Sequence, residues 1–342
     1  MNEKQWSLLL DVINGKTIDP LPVGFIIDSP WLPGWAGISI LDYFSSEKMW
    51  LDANMKAIKT FPDAMFLPGF WSEYGMCTEP SAFGSKCSWK PDEFPFALPV
   101  IKSTSEIDSI TKPDPSSDGM LPFVISRLKH SQKQIEKEGH AIRFAVARGP
   151  LNIASFLMGT TELLMGTQLE PDKIKSLLDI ITDFLVDWIK LQAQVFPTID
   201  GIFLLDDIVG FVGEQDFLKF ARPYLQKVYN CLDVSVRFFH NDAPGLVCAP
   251  HLADIGINLF NFSSNHDIVQ MRRLVGDKVT LLGNIPPRDV LAAGTPDDVR
   301  AAAKKMLEGL EDRTHLIASC GGGVPQNVST ENINAFIEAI QK

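Results

Sequence analysis

Three residues far apart in the chain have side chains suited to binding and polarising a reacting group: Asp206, His240 and Cys320. A carboxylate, an imidazole and a thiolate are ordinary zinc ligands, and a catalytic zinc site takes about three of them and keeps one position open. Each ends a short apolar run, GIFLLD, SVRFFH or HLIASC. Asp242 lies two residues past His240, so an extended chain turns both to the same side. Asp207 follows Asp206 directly, and a shift of one residue reverses the facing, so either acid is a candidate ligand. His240 equally suits general acid–base work. Cys320, which precedes Gly321-Gly322-Gly323, equally suits a small buried position before a turn.

Other polar residues also follow apolar runs. Asp28 ends VGFIID, Arg148 follows AIRFAVA, and Asn284 follows VTLLG. Arg148 could clamp a carboxylate or phosphate, or pair with a neighbouring acid. Glu73 and Glu79 stand in an apolar segment, where a carboxyl is pushed toward its neutral form and can act as a proton donor. Asp207 is a third candidate for that role. Trp31, Trp35, Phe70, Trp71, Tyr74 and Phe83 follow the first two apolar runs. They suit either a pocket for a flat substrate, with Asp28 and Asn284 as polar contacts, or core packing.

The apolar runs read as eight strands: Val23–Asp28, Ala64–Phe70, Ala141–Ala147, Gly201–Asp206, Ser235–His240, Asn258–Phe262, Val279–Gly283 and His315–Ser319. Amphipathic stretches between them read as helices, among them Ser46–Phe61, Leu121–Glu138, Leu151–Gly166, Pro171–Val195 and Pro296–Leu310. Eight alternations predict one (β/α)₈ TIM barrel over residues 1–342, with an open doubly wound sheet as the alternative. Active sites of such barrels lie at the C-terminal strand ends, where the residues above stand. The segment at about 71–114, rich in Pro, Gly and aromatics, reads as a functional insertion.

The chain carries 31 Lys and Arg against 42 Asp and Glu, a net charge of −11. That balance argues against nucleic acid or an anionic membrane surface as partner. No apolar run reaches the roughly 18 residues of a membrane span. The opening MNEKQWSLLLDVINGK reads as an amphipathic helix rather than a secretion signal. Five cysteines at irregular spacing fit a reducing cytoplasm. The glycine triplet lacks P-loop spacing, and no Gly-x-Ser-x-Gly elbow occurs.

Four stretches resemble the uroporphyrinogen decarboxylase superfamily: LLLDVINGKTIDPLPVGFIID, ARGPLN, LLGNIPPRDVLAAGTPDDV and ASCGGGVPQNVSTENINAFIEAI. The resemblance spans nearly the whole chain and implies a (β/α)₈ barrel. True decarboxylases of that superfamily carry an arginine-bearing RQAGRY-type segment after strand one, where this chain reads DSPWLPGWAG. The resemblance therefore points to the branch of zinc-dependent methyltransferases that work with corrinoid proteins. Several of these bind zinc through a His-x-Cys pair after strand five and a Cys near strand eight. His240 and Cys320 match that pattern, and Asp242 replaces the first Cys. The substitution makes the site look more like that of methyltransferases drawing on donors such as aromatic methyl ethers.

The expectation is a zinc ion held by His240, Cys320 and an acid among Asp206, Asp207 and Asp242. It would act as Lewis acid on a methoxy oxygen while a cobalamin on a partner protein takes the methyl group. The alternative is a metal-free decarboxylase on another carboxylate substrate, with Arg148 holding the substrate and Asp28 or Asp206 stabilising a cation.

Overall fold

Short runs such as FAVAR and GIFLL form strands because branched and aromatic side chains pack on both faces of a fully covered parallel sheet. The computed structural model describes residues 1–341. It contains β1 (Val23–Ile26), β2 (Ala64–Leu67), β3 (Cys87–Ser88), β4 (Phe96–Ala97), β5 (Phe144–Arg148), β6 (Gly201–Leu205), β7 (Val236–Asn241), β8 (Leu259–Phe262), β9 (Thr280–Ile285) and β10 (Leu316–Cys320). Eight of these form one curled parallel sheet in the order β2-β1-β10-β9-β8-β7-β6-β5, with helices between them, as a (β/α)₈ barrel requires. All eight predicted strands are present, with ends shifted by up to three residues. The largest shift at a strand start is in the third, which begins at Phe144 rather than Ala141.

At the seam between β5 and β2, side chains satisfy the free edge of β5. The Gln192 carboxamide accepts from Val146 N–H and donates to Val146 C=O, both at 3.0 Å. Glu79 accepts from Arg148 N–H at 3.1 Å. A strand edge without a neighbouring strand thus keeps its backbone groups paired, as buried polar groups must be. Below the seam the Met1 ammonium donates to Ala141 C=O at 3.0 Å.

Two apolar layers enclose the sheet. The inner one fills the barrel with Ile26, Met65, Leu67, Phe144, Phe203, Phe238, Leu282 and Ile317. Helix Glu3–Ile13, opened by a capping box of Asn2 and Gln5, plugs the lower end with Trp6 and Leu9. Trp6 meets Phe144 edge-on at 5.5 Å. The outer layer packs the helices on the sheet, with Ala318, Cys320, Leu204 and Ile285 on that side.

The segment after β2 holds helix Thr78–Ala82, the β3–β4 hairpin and a 3₁₀ turn at Thr104–Ser109. The expected helix Leu151–Gly166 is two helices, Pro150–Met158 and Thr160–Leu169, broken at Gly159. Gly159 has φ +93°, and a β-carbon there would come within 2.4 Å of the Glu162 carboxylate.

Candidate active site

Along each barrel strand every second residue faces inward. Near the C-terminal ends that inward series changes from apolar to polar: Phe238 gives way to His240, Leu259 to Asn261, and Phe144 with Val146 to Arg148. Above this layer lies a cavity of about 220 Å³ whose lining includes Asp28, His240, Asp242, Arg288 and Val324. It adjoins a wider cleft of about 920 Å³, with which it shares Pro30, Arg288 and Pro325.

His240 and Asp242 of the smaller cavity's lining converge with Asp207 beside it, with one donor atom from each within 4.8 Å of the other two. His240 Nε2 is 3.6 Å from Asp207 Oδ1 and 4.0 Å from Asp242 Oδ2. The imidazole is buried, whereas the Asp207 and Asp242 side chains are 38% and 46% exposed; desolvation still pushes the Asp207 carboxyl above its ordinary value, and His240 opposes that shift.

Asn261 decides the protonation of this imidazole. Its Nδ2 donates to Leu282 C=O at 2.7 Å and to Cys320 C=O at 3.2 Å. Both amide hydrogens are thereby used, and Oδ1 must face His240 Nδ1, 2.7 Å away. An amide oxygen only accepts, so Nδ1 carries hydrogen and the neutral ring presents its lone pair at Nε2. An outer hydrogen bond that fixes the tautomer in this way is typical of a metal-binding histidine. Three acceptors then converge, and only a cation, whether a proton or a metal ion, relieves them. One imidazole and two carboxylates are a donor set that zinc accepts. The site residues therefore fit a zinc ion.

The structure does not bring Asp206 and Cys320 into this group. Asp206 has the facing of Leu204, toward the helices. Its carboxylate accepts from Leu151 N–H at 2.9 Å and Asn152 N–H at 3.0 Å, at the start of helix Pro150–Met158. Here the reason for the ARGPLN stretch becomes visible. A β-carbon on Gly149 would lie 2.3 Å from Asp206 Oδ2, Pro150 needs no hydrogen bond, and Asn152 Oδ1 accepts from Ile208 N–H. Cys320 is buried on the outer side of β10. Its thiol donates to Gly322 C=O at 3.3 Å, and burial pushes it up to about 12, so it is neutral rather than a thiolate. Gly322 separates the two: a β-carbon there would meet Asp242 Oδ2 at 2.7 Å.

A second polar cluster lies behind the cavity. Arg148 pairs with Glu73 through a 2.8 Å contact, and the two side chains are 9% and 6% exposed. Ser29 Oγ approaches the other Glu73 oxygen at 3.4 Å. Glu79 uses Oε1 on Arg148 N–H, while its Oε2 is buried without a hydrogen-bond partner. Arg127 donates to the carbonyls of Glu73 and Phe44 and stacks over Tyr74. Burial pushes Asp28 well above the carboxylate range, Glu73 adds to the effect, and Arg148 opposes it. Burial likewise pushes Glu79 up. Neither Glu73 nor Glu79 lines the cavity; Asp28 does.

The aromatic residues serve packing more than the cavity. Trp31 donates to Val328 C=O and stacks on Trp35 at 4.9 Å, and both line a shallow cleft of about 420 Å³ beside the site. Phe70 packs edge-on against His140, and Trp71 packs against Phe203 inside the barrel. Tyr74 lines an apolar groove with Phe44 and Trp89, and Phe83 packs on Phe184. Asn284 clasps the chain after β8, donating to Ser263 and His266 C=O. Of the eight residues expected to contact substrate, Asp28 alone lines the 220 Å³ cavity. Asn261 and Arg288 were not expected from the sequence. Asn261 had a signal, as a lone polar residue inside the apolar run LFNF.

The family described as Uroporphyrinogen decarboxylase (URO-D) matches residues 4–342. Relatives include the uroporphyrinogen decarboxylase of Pseudoalteromonas translucida, 26% identical over 278 residues, covering 78% of this chain and 76% of that protein. That of Photobacterium profundum is 25% identical over 306 residues, covering 85% and 82%. Among solved structures, a methyltransferase from Methanosarcina mazei superposes with a TM-score of 0.81 at 20% identity, covering 97% of this chain and 96% of that one. A B12-independent methionine synthase from Shewanella sp. W3-18-1 superposes with a TM-score of 0.56 at 13% identity, covering 94% and 95%.

Proposed function

The chain belongs to the uroporphyrinogen decarboxylase (URO-D) family, and from that premise we propose that it is a zinc-dependent methyltransferase, moving a methyl group from a small donor, such as an aromatic methyl ether, to the cobalt of a corrinoid on a partner protein. The observation that carries this reading is His240, held by Asn261 with its Nε2 lone pair facing Asp207 and Asp242 at the cavity wall. The Methanosarcina mazei neighbour bears the name methyltransferase, which agrees with it.

His240, Asp207 and Asp242 would hold the zinc. Bound there, zinc supplies a Lewis acid for the donor oxygen. Asn261 keeps the imidazole oriented, and a cavity of about 220 Å³ admits a small donor. The adjoining 920 Å³ cleft leaves room for a partner's group to approach the methyl carbon.

The metal-free decarboxylase alternative asks Arg148 to hold a substrate carboxylate. Arg148 is already neutralised by Glu73 and is buried, and the exposed Asp242 lines the cavity. Both features oppose a polycarboxylate substrate.

The test is to incubate the metal-loaded chain with methoxyarenes and cob(I)alamin and to follow methylcobalamin by its absorbance. The reading predicts methyl transfer that is lost with His240→Ala. No transfer across a broad panel of methyl donors, or transfer unaffected by that change, would overturn it.

A further inference from the structure

Cleaving a methyl–oxygen bond leaves negative charge on the oxygen, and that oxygen needs a proton. Sequence reasoning offered Glu73, Glu79 and Asp207. Glu73 is committed to Arg148 and Ser29. Glu79 is bound to the β5 backbone away from the cavity. Asp207 belongs to the group around His240. Asp28, at the end of β1, is half-buried and lines the cavity with His240 and Asp242.

Charge counting behind the cavity wall gives Asp28 its character. Glu73 and Arg148 neutralise each other. Glu79 is also near Arg148, and Arg127 spends its guanidinium on backbone carbonyls and the Tyr74 ring. Asp28 therefore lies near Glu73, Arg148 and the buried Tyr43 hydroxyl and shares the cavity lining with Arg288, and among the described residues it forms an ion pair with neither arginine. Among the described residues no group hydrogen-bonds its carboxyl. A carboxyl so placed is pushed toward its protonated form, the direction in which burial shifts it.

We propose that Asp28 is the acid that protonates the departing oxygen of the methyl donor, from its place on the cavity wall in front of the Glu73–Arg148 pair. The inference rests on the methyl-transfer reading above. In the step, the methyl–oxygen bond breaks and its electron pair stays on oxygen. The methyl carbon bonds to the partner's cobalt(I), the two-electron nucleophile. The Asp28 proton passes to oxygen, leaving the Asp28 carboxylate, which solvent reprotonates through the open cavity.

Two readouts test it. The first needs no turnover: the infrared spectrum of the isolated chain at neutral pH, wild type minus Asp28→Asn, should contain the C=O stretch of a protonated carboxylic acid. Its absence would overturn the proposal even if methyl transfer occurs. The second compares donors with good and poor leaving groups. Asp28→Asn should slow an unsubstituted methoxyarene by about 100-fold or more, the usual scale for general acid catalysis, and a nitro-substituted one by much less. It should also abolish the loss of wild-type activity on the alkaline side. Equal slowing of both donors, with the variant folded by circular dichroism, would assign Asp28 a positioning role and overturn the acid. If the wild type transfers no methyl group from any donor, the methyl-transfer reading has failed, and the infrared result still decides whether Asp28 carries the proton.

Discussion

The two sides of the barrel mouth are built from the same residue types and solve opposite problems. On one side the half-exposed Asp207 and the exposed Asp242 converge with His240, three acceptor groups that a cation would relieve. On the other side Asp28, Glu73 and Glu79 surround Arg148, and there burial pushes Asp28 and Glu79 toward their neutral forms. The contrast teaches that what stands among the acids, more than their type, sets their chemistry: an imidazole acceptor on one side, the buried Arg148 on the other.

The comparison can be broken most sharply at Arg148. Arg148→Met leaves Glu73 buried without its cation and should destabilise the fold by about 3–5 kcal/mol, read from the urea midpoint. A near-neutral effect would mean Glu73 is already protonated, and the two sides would be more alike than described. On the open side, Asn261→Leu frees the imidazole tautomer. Zinc affinity, measured by competition with a chromogenic chelator, should fall about 10–100-fold.

Adjacent acids give a finer cut. Asp206→Asn should cost about 1–2 kcal/mol because it weakens the acceptor for two buried N–H groups at a helix start. Asp207→Asn should change stability by about 0.5 kcal/mol or less and should lower zinc binding instead. Reversal of this pair would undo the assignment of which acid faces the site.

The smallest expected effect is in pH dependence. Asp28 and Glu79 have pKa values raised on folding, so the folded chain binds more protons than the unfolded one between the ordinary and the raised values. Their contribution is present at low pH and is lost as pH rises through the raised values. Thermal stability should therefore decline on going from the ordinary carboxyl range toward neutral pH, and Glu79→Gln should flatten part of that decline.

Most of the barrel was legible because the apolar runs and the helical periodicity between them record burial directly. The candidate site was only partly legible. His240 and Asp242 lie two apart within one strand ending, and their shared facing follows from strand geometry. The choice between Asp206 and Asp207 did not follow, because the chain leaves strand geometry after Leu205 and the helix that Asp206 caps begins 56 residues earlier. Cys320 reads as a ligand by type, but its facing puts it among the helices. Glu73 and Glu79 lie in an insertion without periodicity, so nothing in the sequence tied them to Arg148. The aromatic residues of that region looked like a pocket because large apolar side chains serve cores and pockets alike.

The central claim is that Asp207, His240 and Asp242 hold a metal ion at the cavity wall. Metal analysis of the purified chain after zinc loading and removal of loose metal tests it most directly. The account predicts about one zinc per chain, lost in His240→Ala and kept in Asp206→Asn. No bound metal in the wild type, or the same zinc content in His240→Ala, would contradict it.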